Sequence, residues 1–187
     1  MLEQFIHYFE ATIKNTPTAV LTNIGFLPAT ALAMIRYNKN KETLSNLLTI
    51  SVVSAIFLIS AFEMELAMEY IREHHSKGSL RNILMVFASQ SILGVIVLYK
   101  LHTRKAYDIG SLFFHLSAIQ ITFAVMHTLL WIKLVVPDWN QAYLTSHAIY
   151  SALSLYLTAT IQIACLFPKI INTRLKHLIN PFAFMSR

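Results

Sequence analysis

Charge is spaced along this chain in a way that few folds accept. Residues 15–35, 43–62, 82–99, 109–132 and 139–168 form five runs without a single Asp, Glu, Lys or Arg. Each reaches the length of about 18–20 residues that a helix needs to span hydrocarbon. Little chain remains between them for a separate soluble domain. Composition agrees: 56% of residues are hydrophobic and 13% charged, which excludes a disordered chain and argues against a soluble domain. The expected fold is an all-α integral membrane protein, a single bundle of four to five transmembrane helices. An N-terminal amphipathic helix and a C-terminal basic surface helix flank it. The spans fall at about 17–36, 44–71, 82–101, 108–133 and 141–167 by the length rule.

The last span carries the clearest internal pattern. His147, Ser151, Ser154, Thr158, Gln162 and Cys165 recur at helical spacing. At 100° per residue they fall within an arc of roughly 80°. Ile149, Leu153, Tyr156 and Leu157 make the opposite, lipid-like flank. Polar side chains in hydrocarbon turn toward other helices or toward water, because lipid offers no hydrogen bonds. The stripe therefore reads as a helix-packing seam. The alternative is the wall of an aqueous path. On the fourth span Ser117, Gln120 and His127 share a face and are the polar residues expected to meet the seam; His115 points roughly the other way.

The first span is interrupted by Pro17, Asn23, Gly25 and Pro28. Pro28 removes one backbone bond, which leaves a kinked crossing or a broken, re-entrant segment as the two expectations. In the third span Ser89, Gln90, Ser91 and Gly94 read as packing positions. Residues 1–15 set Leu2, Phe5, Ile6, Phe9 and Ile13 on one face and Glu3, His7, Glu10 and Lys14 on the other, an interfacial pattern. After Pro168, the run through Lys169, Arg174, Lys176 and His177 reads as a basic surface helix.

With five crossings, one side receives Arg36, Lys39, Lys41, Lys100, Arg104, Lys105, Lys169, Arg174, Lys176 and Arg187. The other receives Lys14, Arg72, Lys77, Arg81 and Lys133. The positive-inside rule places the first side, with the C-terminus, in the cytoplasm. A bacterial inner membrane is expected ahead of a mitochondrial one. The formal net charge of +6 is thus explained by orientation, and no nucleic-acid partner is expected. Lys39, Lys41, Arg104, Lys105, Lys169, Arg174 and Lys176 are expected to face lipid headgroups or a protein partner. Glu65, Glu69, His74, His75 and Asp138 form an ionisable layer at the other, outer end.

Motifs for catalysis are absent: there is no Gly-x-Ser-x-Gly, no P-loop and no acidic pair within the apolar part of a span, and the single cysteine has no redox partner. The expected role is a non-catalytic, membrane-embedded subunit that anchors, senses or couples within a multi-protein assembly, itself homo-oligomeric. A separate protein partner and membrane lipids are its expected contacts, with no cofactor and no metal. One alternative is an oligomeric ion or proton channel lined by the last span. Another is a haem or metal site with His127 and His147 as ligands, since imidazole suits both and facing helices support such sites.

Overall fold

The computed structural model describes residues 17–74, 77–106, 108–136 and 143–173; the side chains of residues 17–24, 65, 68, 69, 71, 72, 74, 77 and 143–148 lie outside that description. All regular structure among the described residues is helical. Helix α1 is Pro17–Asn38, α2 is Leu44–His74, α3 is Lys77–Leu101, α4 is Ser111–Val135 and α5 is Tyr143–Leu166. A π-helical turn, His102–Ala106, extends α3, and a 3-10 turn, Pro168–Asn172, follows α5. Four stretches are long and apolar enough to cross a membrane: Leu44–Met64, Gly78–Ala106, Ser111–Val135 and Ile149–Leu166. The expected N-terminal amphipathic helix and C-terminal basic helix, with Arg174 and Lys176, fall outside the described residues.

Contacts along the helices fix their directions. Ser60 meets Gln90 and Thr49 meets His102, so α2 and α3 are antiparallel. Ser45 meets Gly110 and Phe57 meets Phe123, so α2 and α4 are parallel. His102 packs on Phe113 and Phe87 on His127, which makes α3 and α4 antiparallel. Phe26 stacks on Phe57 while Arg36 reaches Glu42, which sets α1 antiparallel to α2. Arg36 also reaches the Leu166 carbonyl, so the C-termini of α1, α3 and α5 share one end of the bundle with the N-termini of α2 and α4.

One core cluster joins every helix. It contains Phe26, Ala29 and Ala33 from α1, Ile50 and Val53 from α2, Leu98 from α3, Leu116 and Ile119 from α4, and Leu157 and Ile161 from α5. The 3–4 spacing within α1, α2, α4 and α5 is what a single packed face requires. The rest of the apolar surface points outward. At most 39% of any of the four apolar windows is buried, and Phe62 and Ile149 are 65% and 61% exposed. Proteins in water rarely expose contiguous apolar surface on this scale.

Two expectations change. The broken alternative for the first segment gives way to one helix that runs unbroken through Pro28. A single proline removes only one intrahelical bond, and the flanking turns carry the helix past it. The flank of α5 read as lipid-like divides: Ile149 and Tyr156 are exposed, but Leu157 is fully buried and Leu153 packs against the core. Leucine packs equally well on acyl chains and on other helices, so its apolarity does not separate the two faces.

Candidate functional site

The end shared by the C-termini of α1, α3 and α5 concentrates the polar chemistry of the described residues. It begins with how α1 stops. Asn40 adopts φ 55°, the left-handed region that Asn tolerates best after Gly. The Asn40 amide donates to the Tyr37 carbonyl and the Lys41 amide to the Arg36 carbonyl, each at 2.9 Å. That is a Schellman turn, which satisfies two carbonyls left over at the helix end. Thr43 then opens α2, its hydroxyl accepting from the Asn46 amide at 3.2 Å, an N-cap.

Arg36, in the last turn of α1, is turned across the bundle. Its Nη1 donates to the Leu166 carbonyl at 2.7 Å and its Nη2 to the Cys165 carbonyl at 3.3 Å. The guanidinium thus caps the C-terminus of α5, where orphan carbonyls and the helix dipole both favour a cation. Its Nε lies 3.4 Å from Glu42 Oε2, close enough for an ion pair but without hydrogen-bond alignment. Glu42 Oε1 accepts from Asn46 Nδ2 at 2.6 Å. One arginine joins α1, the α1–α2 turn and α5.

His102 makes the second tie, and its side chain is fully buried. Its Nδ1 stands 2.8 Å from the Leu98 carbonyl. Its Nε2 lies 3.0 Å from the Ser45 carbonyl and 3.1 Å from the Thr49 hydroxyl. The Thr49 hydroxyl also donates to the Ser45 carbonyl at 2.8 Å, and the Ser45 hydroxyl accepts from the Gly110 amide at 3.0 Å. A Cβ at position 110 would stand 3.2 Å from the Ser45 oxygen, so glycine permits this approach. The Ser111 hydroxyl donates to Asn172 Oδ1 at 3.2 Å and brings in the 3-10 turn. Backbone and hydroxyl groups from α2, α3, α4 and the 3-10 turn thereby meet at one end.

Around this network stand Lys39, Lys41, Lys100, Arg104, Lys105 and Lys169, all exposed. Among the described residues the one ion pair at this end is Arg36 with Glu42, which involves none of the six. Asp108 is the exposed acid beside them.

Away from that end the expected polar residues divide. Ser117, Gln120 and His127 are all buried on the same face of α4. The His127 Nδ1–H donates to the Phe123 carbonyl at 2.7 Å, and its ring lies among Phe87, Tyr150 and Phe123 at centroid distances of 5.7, 5.7 and 6.1 Å. The Ser117 hydroxyl and Gln120 Nε2 are buried without a hydrogen-bond partner. On α5 the stripe is the edge of the buried face rather than its centre. The buried positions of α5, centred on Leu157 and Ile161, lie roughly 90° around the helix from the stripe. Ser151, Ser154, Thr158 and Gln162 are half-buried, and Cys165 alone of the described stripe is fully buried. The stripe borders α1: a Cβ on Gly25 would stand 2.9 Å from Gln162 Nε2. The third-span cluster packs as expected at Gln90, which accepts from the Ser60 hydroxyl at 3.0 Å, and at buried Ser91 and Gly94, whereas Ser89 is exposed.

The side chains of Glu65, Glu69, His74 and His147, together with residues His75 and Asp138, lie outside the described part of the structure. Among the described residues no group of three His, Cys, Asp or Glu side chains is gathered to hold a metal ion. His102, Arg36, Ser45 and Thr49 were not singled out by the sequence. The signal for His102 was its place one turn after Leu98 on the face that carries Leu84, Phe87, Ser91 and Gly94. No protein-family model, no curated protein and no solved structure matches this chain.

Proposed function

We propose that the chain is an integral, multi-pass membrane protein of a bacterial inner membrane, with its basic end in the cytoplasm. It serves as a non-catalytic subunit that anchors, senses or couples within a multi-protein assembly, and it is itself homo-oligomeric. The observation that carries this reading is where the chemistry is spent. Arg36 and His102 tie helix to helix at the basic end, while large apolar side chains cover the outside of the helices. In a bilayer that outer surface costs nothing, and internal polar ties are how a bundle without a hydrophobic driving force holds its geometry. A rigid end bearing exposed cations suits a protein that presents a fixed surface to other molecules. The charge asymmetry between the two ends supports the orientation.

The test is affinity purification of the intact protein in mild detergent, read by native mass spectrometry. The expected species contains several copies of this chain with a second protein in fixed stoichiometry. A ring of copies alone would favour a conducting pore and call for bilayer recordings of wild type and Thr158→Leu. A bound mass matching haem would overturn the reading and make His127 and His147 ligands.

A further inference from the structure

We infer that the basic end is a binding rim for anionic phospholipid headgroups. The inference rests on the membrane reading and adds to it a ligand class that the reading does not require. Its first support is charge without compensation: the exposed cations on the α1–α2 turn, the π-turn and the 3-10 turn are not ion-paired among the described residues. Cations standing beside an anionic leaflet gain attraction that falls off within a Debye length, so they act only if held at headgroup depth.

The second support is what holds them there. The three C-terminal ends at this side each bear an exposed aromatic ring followed within two residues by a cation. Tyr37 precedes Lys39, Tyr99 precedes Lys100 and Phe167 precedes Lys169; the rings are 37%, 54% and 63% exposed. Rings with an apolar body sit where acyl chains give way to headgroups. From one or two residues further along the chain, the flexible lysine stems carry the ammonium groups toward the phosphates. A docking site for an acidic protein needs the cations but not a girdle of rings on three separate helices, so the pattern favours lipid. The Schellman turn, the Arg36 cap and the His102 tie fix the three carrying segments relative to one another.

The test uses the full chain purified in nonionic detergent and titrated with phosphatidylglycerol or phosphatidylcholine, counting bound lipids by native mass spectrometry. Wild type is expected to retain phosphatidylglycerol at least tenfold better than phosphatidylcholine. Each neutralised cation should lower that preference up to about fivefold. A variant carrying Lys39→Gln, Lys41→Gln, Arg104→Gln and Lys105→Gln should lose it, while Arg81→Gln, at the opposite end, should keep it. Equal retention of the two lipids, or an unchanged preference in the fourfold variant, would overturn the inference. So would polyglutamate binding that disappears in the variant while the two lipids remain equal, which would assign the rim to an acidic protein. A chain that stays in solution without detergent and takes up neither lipid would defeat the membrane reading itself. One that needs detergent and takes up both lipids equally would defeat only the rim.

Discussion

The contact between α2 and α3 at Gly94 gives the sharpest quantitative test of the packing. A Cβ at position 94 would stand 2.5 Å from Ile56 Cδ1 and 3.5 Å from its Cγ1. Carbon atoms in contact prefer about 3.5–4.0 Å, so Gly94→Ala overlaps the methyl by about 1 Å. Forcing a group into a filled space costs about 1–3 kcal/mol. Alanine returns up to about 1 kcal/mol of helix propensity over glycine. The net expectation is a loss of about 0–2 kcal/mol, the low end if Ile56 can swing its terminal methyl aside. Ile56→Val deletes Cδ1 and alone costs about 0.5–1.5 kcal/mol. With that methyl gone, the new Cβ has only ordinary contacts to Ile56, the nearest at 3.5 Å. The double variant should therefore be more stable than the sum of the two changes by about 1–2 kcal/mol. Denaturant unfolding in mild detergent, followed by far-UV circular dichroism, measures all four corners of the cycle. Additivity within about 0.5 kcal/mol would refute the close approach of α2 and α3 at this point.

Three further changes probe the polar groups by the same unfolding assay. His102→Ala removes the ties to Leu98, Ser45 and Thr49 and leaves a buried cavity; a loss of about 2–4 kcal/mol is expected, and a change below 1 would deny it a structural role. Arg36→Met strands the Glu42 carboxylate, 7% exposed as a side chain, and should cost about 2–3 kcal/mol; adding Glu42→Gln should recover part of that, and no recovery would contradict the pairing. Gln120→Leu replaces a buried donor without a partner, so stability should rise by about 1 kcal/mol; a loss of similar size would reveal a partner for that amide.

The spacing of charge made the helices legible, because a run without Asp, Glu, Lys or Arg and a length rule leave few other folds. The face shared by Ser117, Gln120 and His127 was legible for a related reason: polar side chains at helical spacing in an apolar segment turn inward. The seam on α5 was harder. Periodicity orders residues around a helix but does not say which neighbour each faces, so Leu157 read as lipid-facing and is core. The ties at the basic end left almost no trace. Arg36 looked like one more topogenic charge, and His102 stood just past the expected end of the third span, among Lys100, Arg104 and Lys105. Their roles depend on carbonyls 57 to 130 residues away in sequence, which no local pattern encodes.

A bundle that crosses a membrane with its basic end inside predicts a fixed pattern of labelling from the two sides. The direct measurement is cysteine accessibility in bacterial spheroplasts, in a Cys165→Ser background, with a membrane-impermeant maleimide. Arg81→Cys should label in intact spheroplasts, and Lys105→Cys only after permeabilisation. The reverse pattern would contradict the orientation, and recovery of the protein in the supernatant after an alkaline wash would contradict the membrane claim itself.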